Sequence, residues 1–147
     1  SRIMSLKDGL KKMSKSELSD LSRINLTDDE DQIINKIKKA KTDPLPLPET
    51  LAEIEKRPEA KNLIGIYSSL VNQSLEKSIM EFSGKNFSEF KENLSQVLVD
   101  KIIPISNEIK KLLKEKSFLD QILDSGRQKA DKIASEKFKK LQEIMGF

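Results

Sequence analysis

"FSEFKENLSQVLVDKIIPISNEIKKL", residues 87–112, carries apolar side chains at Phe87, Phe90, Leu94, Leu98, Ile102, Ile105, Ile109 and Leu112. Every interval in the series is three or four, the spacing that gathers side chains on one face of an α-helix. The stretch predicts one long helix, or two joined at Pro104, where a proline lacks the amide donor and crowds the preceding turn. Such a face needs other elements to cover it, and the flanking sequence offers mostly helices.

Toward the C-terminus, Ala130, Ile133, Ala134, Phe138, Leu141 and Met145 form another stripe, expected to be core, with Ser117 and Ser125 as candidate N-caps. Toward the N-terminus, a short helix is expected from Ser74 to Gly84. Before it, Leu63, Ile66, Tyr67, Leu70 and Val71 follow a proline, Pro58, at a first-turn position. Pro44, Pro46 and Pro48 alternate with other residues and read as a stiff extended connector. Thr27-Asp28-Asp29-Glu30 reads as a capping box, with Thr27 the cap and Glu30 reaching back to it, ahead of Ile33, Ile34, Ile37 and Ala40. The expected class is all-α, a bundle of about five or six helices. Arg2-Ile3-Met4-Ser5-Leu6, before a turn at Asp8-Gly9, is the one plausible strand, and a lone strand has no ladder partner.

The chain has 147 residues, 36% of them hydrophobic and 35% charged, which suits amphipathic helices with much surface and a modest core. Cysteine is absent, which excludes disulfides and thiolate metal sites. Histidine is absent too, which removes the commonest general base and the imidazole metal ligand. No metal ligand set is expected from the chain. No apolar run approaches the roughly 18 residues of a membrane span, and no secretory signal is evident, so the expected location is the cytoplasm, without a membrane partner. The net charge of +3 is uneven: residues 1–16 carry +4, residues 100–147 carry +3, and the middle is therefore −4. Both ends suit polyanions, and the tail suits nucleic acid. There Arg127, Lys129 and Lys132 cluster after Gly126, in what reads as the first turns of the final helix, and are the candidate nucleic-acid-contacting groups.

The chemistry concentrates in Lys12-Met13-Ser14-Lys15-Ser16. Two ammonium groups on a short loop can follow the charge of a phosphate chain as it shifts. Hydroxyls add donors, and Gly9 lets the segment bend.

"RIMSLKDGLKKMSKS", residues 2–16, resembles the second signature of the class I aminoacyl-tRNA synthetases, and its flanks resemble tryptophanyl-tRNA synthetases of the bacterial and mitochondrial type. "SRINLTDDEDQIINKIKKAKTD" (residues 22–43), "RPEAKNLIGIYSSL" (residues 57–70) and "LDSGRQKADKIASEKFKKLQEIMGF" (residues 123–147) resemble further stretches of that family, in order along the chain. The resemblance implies an ATP-dependent ligase that joins tryptophan to tRNA(Trp) through a tryptophanyl-adenylate, with Mg2+ accompanying the ATP in the full-length enzyme and a homodimer as its assembly.

The family's Rossmann-type catalytic domain carries a histidine-containing first signature. This chain has no histidine and no glycine-rich strand–helix opening, so the expectation is a C-terminal part of such an enzyme, inactive alone. Residues 1–26 would be the end of the catalytic domain with the KMSKS loop, and residues 27–147 the helical anticodon-binding domain. Lys12 and Lys15 match the signature lysines, implied to stabilise charge on the departing pyrophosphate. The implied ATP-binding set is Ile3, Lys12, Met13, Ser14, Lys15 and Ser16, with Ile3 where backbone meets the adenine. One departure stands out: the family commonly continues Ser-Asp-Pro, whereas here Ser16 is followed by Glu17-Leu18, and the missing proline should loosen the loop's exit. The alternative is a free-standing helical tRNA-binding or protein-interaction module, against which the retained signature loop argues.

Overall fold

The apolar stripes become helices, and those as far as Leu98 share a core. The computed structural model describes residues 2–146; Ser1 and Phe147, the latter the last residue of the closing Gly-Phe, lie outside the described residues. Its elements are β1 (Met4–Ser5), β2 (Asp8–Lys12), a 3-10 turn at Asp20–Ser22, α1 (Glu30–Lys38), α2 (Leu51–Ile54), α3 (Pro58–Leu70), α4 (Leu75–Phe82), α5 (Phe87–Lys114) and α6 (Lys116–Met145). The chain divides into two compact units, Ser1–Asn107 and Glu108–Phe147.

In the first unit, Phe87, Phe90, Leu94 and Leu98 of α5 are buried in one cluster with Ile33 and Ile37 of α1, Leu63, Ile64 and Tyr67 of α3, and Ile79 and Phe82 of α4. Three aromatic rings knit α3, α4 and α5 edge-on: Tyr67 to Phe82 at 4.9 Å, Phe82 to Phe90 at 4.8 Å and Tyr67 to Phe90 at 5.9 Å between centroids. The Tyr67 hydroxyl donates to Glu81 at 2.9 Å, so its polar end stays satisfied. Lys91 of α5 donates to the carbonyls of Ala40 (2.6 Å) and Lys38 (3.2 Å), closing the otherwise unpaired C-terminal end of α1. The long stripe is one helix, continuous through Pro104.

The helical class stands, with a small sheet in front of it. Several local expectations are corrected. The first strand is not alone: β1 pairs antiparallel with β2, Met4 opposite Lys12 and Ser5 opposite Asp8, with an irregularity between the two pairs. The turn lies at Leu6-Lys7 rather than Asp8-Gly9, because the Leu6 side chain is drawn into the core while its amide donates to Ser22 O (2.9 Å) and its carbonyl accepts from Lys41 N (2.7 Å). A strand too short to stand alone is thus held by segments distant in sequence.

The capping box lies two residues later than read. Asp29 is the cap and exchanges two 2.9 Å bonds with Gln32. Asp28 is unavailable because it is buried against Lys36, and the helix begins after it.

In the second unit, α6 runs unbroken through Ser117 and Ser125, so neither caps it. The stripe expected to be core is exposed: Ile133 is 64% accessible, Phe138 61% and Met145 66%. A helical face is buried only where another element covers it, and among the described residues of this unit the elements are α6 and the end of α5. Helix α6 ends on Gly146, whose positive φ of 78° returns its amide to Gln142 O.

Candidate functional site

The hairpin builds the site. Lys12 is the last residue of β2. Met13 follows with its amide donating to Ile3 O at 3.1 Å and its side chain against the core, so the signature's apolar residue is an anchor for the loop. Beyond it the chain turns outward. The Ser14 and Ser16 hydroxyls share a hydrogen bond at 2.9 Å, and the Ser16 amide donates to Ser14 Oγ at 3.3 Å. This serine turn presents Lys15 at its apex.

Lys12 and Lys15 are both exposed, and neither has an ion-pair partner among the described residues. Two unneutralised ammonium groups stand three residues apart, the second with a hydroxyl on each side of it. That donor set fits a polyphosphate better than any neutral ligand.

Helix α3 fixes the hairpin's position. The Asn62 side chain accepts from Met4 N at 2.9 Å and donates to Met4 O at 2.9 Å. Gly9 lies on the first turn of α3, where an added Cβ would stand 2.6 Å from Glu59 N and Pro58 C. Only a residue without a side chain allows that approach. The Glu59 carboxylate accepts from Lys41 Nζ at 2.8 Å. That hydrogen bond holds the Glu59 carboxyl below its ordinary value; burial opposes the shift, and the amides of Glu59 and Gly9 reinforce it.

A second set of contacts holds the loop's far end. Arg23 donates through Nη1 to Glu17 O at 2.9 Å and pairs with Asp20 at 3.0 Å. Asp20 also meets Lys36 Nζ at 2.6 Å. The hydrogen bond from Lys36, then that from Asn25, lowers the Asp20 pKa.

Ile3 lines an open groove of about 650 Å³ with Met4, Leu10, Pro58, Asn62 and Ile66. None of residues 12–16 is among that groove's lining residues. Arg127, Lys129 and Lys132 lie mid-way along α6 rather than in its first turns, because the helix starts at Lys116 and Gly126 does not interrupt it. Arg127 is engaged by Asp124 (2.6 Å) and Asp131 (3.2 Å), whereas Lys129 and Lys132 are exposed without ion pairs among the described residues.

Among the described residues no group of three or more His, Cys, Asp or Glu side chains fits a metal ion. Magnesium is an ion commonly bound through substrate phosphates with few protein ligands. No helix among the described residues is long and apolar enough to cross a membrane.

Asn62, Glu59, Arg23 and Lys36 escaped the sequence reading. One signal was present: Lys36 stands three residues after Ile33 and beside Ile37, on the buried face of α1. A lysine at such a position needs a carboxylate partner.

The profile of the tRNA synthetases class I (W and Y) matches residues 1–102. The chain is 48% identical over 145 residues to the tryptophan–tRNA ligase of Mesorhizobium japonicum, covering 99% of this chain and 41% of that protein. It is 49% identical over 146 residues to the tryptophan–tRNA ligase of Rickettsia felis, covering 99% of this chain and 44% of that protein. The fold is similar to the tryptophanyl-tRNA synthetase of Campylobacter jejuni solved with ADP and tryptophan, at 26% identity and a TM-score of 0.75, over 100% of this chain and 44% of that one. The chain thus spans less than half the length of these relatives.

Proposed function

Because this chain belongs to the class I tRNA synthetases of the tryptophan and tyrosine type, we propose that it works as the signature-loop and helical portion of a tryptophan–tRNA ligase. The observation that carries the reading is the pair Lys12 and Lys15, exposed and unpaired among the described residues, with the hydrogen-bonded hydroxyls of Ser14 and Ser16 on either side of Lys15. The named relatives favour tryptophan over tyrosine.

In adenylate formation a tryptophan carboxylate oxygen attacks the α-phosphorus of ATP, the bond to the bridging oxygen breaks, and pyrophosphate leaves with added negative charge. Lys12 and Lys15 meet that charge as it develops, and the Ser14 and Ser16 hydroxyls donate to the same phosphates. Charges held in place before the reaction stabilise the transition state more than the ground state. Ile3, where the hairpin borders the groove, contributes the backbone edge facing the adenine. On this reading residues 1–26 complete the nucleotide site and residues 27–147 recognise tRNA(Trp), with Lys129 and Lys132 meeting its phosphates. The rest of the catalytic site lies on a Rossmann-type domain, ATP arrives with Mg2+, and the enzyme is a cytoplasmic homodimer.

The test is tryptophan-dependent exchange of pyrophosphate into ATP by the full-length synthetase that carries this chain. Lys12→Ala and Lys15→Ala are each expected to slow exchange by about 10²–10³-fold, the loss usual for a pre-organised donor to developing charge, with tryptophan binding unchanged. Wild-type exchange in both variants would overturn the role given to the loop. The 147-residue chain alone is expected to give no exchange, since two lysines cannot orient reactants that nothing else binds. Turnover near that of the whole enzyme would contradict this.

A further inference from the structure

We propose that Arg23 and Asp20, anchored on the buried Lys36, are positioning residues that set where Lys15 stands; the proposal rests on the role given above to the signature lysines. Lys36 is 3% exposed, and its ammonium lies 2.7 Å from Asp28 Oδ2 and 2.6 Å from Asp20 Oδ2. Asp28, itself buried, already supplies the counter-charge that a buried lysine requires. Asp20 is different. Its side chain is 52% exposed and water would solvate it. It instead holds Lys36 through Oδ2 and both Arg23 (3.0 Å) and Asn25 Nδ2 (2.9 Å) through Oδ1. Arg23 is steered further by Asn25 Oδ1, which accepts from its Nε at 3.2 Å. Its Nη1 is then aimed at Glu17 O, 2.9 Å away.

That last bond supports nothing in the core. Glu17 is exposed, and Leu18 beside it is 101% accessible. What the bond does fix is the chain two residues beyond Lys15. On the near side, Met13 is fixed by Ile3 and the core. Only residues 14–16 span the two fixed points, and the serine hydrogen bond closes them into a turn. A span that short between anchored ends has few conformations, so the anchors determine the place of Lys15. No proline follows at position 18 to stiffen the exit. The Arg23 guanidinium, planar and donating in several directions, takes that part.

The test is a double-mutant cycle in the full-length synthetase, read by pyrophosphate exchange. Arg23→Ala is expected to lower kcat about tenfold with the KM for tryptophan unchanged, the effect of losing a charge-assisted bond that orients a reacting group. In the Lys15→Ala background the same change should cost less than twofold, because Arg23 acts through Lys15. Arg23→Lys, which keeps one donor, should recover part of the rate. If Arg23→Ala loses the fold by circular dichroism, Asp20→Asn, near-isosteric and half exposed, is used in its place and should show the same dependence on Lys15. Equal losses with and without Lys15, or no loss in either variant, would overturn the proposal. Wild-type exchange by Lys15→Ala alone would instead sink the reading of the loop on which the proposal rests.

Discussion

Asn62 of α3 grips Met4, 58 residues earlier in the chain, by both sides of its backbone: the Met4 amide donates to Oδ1 and Nδ2 donates to the Met4 carbonyl, each at 2.9 Å. A primary amide carries one acceptor and one donor group in the plane that an extended residue presents, so this one side chain does the work of a neighbouring strand. The clamp continues the two-stranded sheet onto a helix, and it sets the height at which β2 delivers Lys12.

Asn62→Leu keeps the volume and removes both bonds, leaving the Met4 amide and carbonyl short of partners in a partly buried place. The expected loss of stability is about 1–3 kcal/mol, read from the urea midpoint of the chain. A midpoint equal to the parent's would show that the clamp contributes nothing.

Gly9→Ala is expected to destabilise as well. The new methyl would stand 2.6 Å from Pro58 C and Glu59 N and 2.8 Å from Pro58 O, all backbone atoms that cannot rotate away. Crowding of this kind costs about 1–3 kcal/mol, more than the ~0.4–1 kcal/mol that alanine gains by restricting the unfolded chain. Thermal unfolding decides the sign, and a raised Tm would contradict the close approach.

Acid should loosen the same junction. The Glu59 carboxyl is held below its ordinary value of 4.5 by the hydrogen bond from Lys41. A carboxyl whose folded pKa is depressed contributes stability that is fully present above 4.5 and is lost as pH falls through the lower, folded value. Glu59→Gln should therefore flatten the fall of the urea midpoint below that pH and change its slope little near neutrality. Parallel profiles for parent and variant would remove Glu59 from the acid response.

On α6, Lys129→Gln and Lys132→Gln together should weaken tRNA binding by the full-length synthetase. They should also reduce the slope of log K against log salt by about 0.7–0.9 for each phosphate left without its lysine. Arg127→Gln should matter less, because Asp124 and Asp131 already occupy its guanidinium. Filter binding across a salt series measures both. Unchanged affinity and slope in the lysine pair would move the phosphate-binding groups elsewhere.

The long helix was legible because its determinant is local. Phe87 to Leu98 keep helical spacing whatever surrounds them, and the same holds for Pro58 at the start of α3 and Ser74 at the cap of α4. Met13, expected among the ATP-binding residues, also packs its side chain against the core, since an apolar side chain beside a core is drawn to it.

The amino-acid sequence by itself determined that this protein is helical, that two lysines and two serines gather within residues 12–16, and which family those residues resemble; such properties follow from spacing and residue type within a few turns of chain. Only the tertiary structure decided that the first strand has a partner, that Asp28 faces inward and shifts the cap to Asp29, that Asn62 and Gly9 seat the hairpin on α3, and that Arg23 reaches Glu17. Each of these joins groups far apart in sequence or depends on what is buried beside them, and hydrogen bonding and desolvation act on proximity in space, which no local pattern encodes.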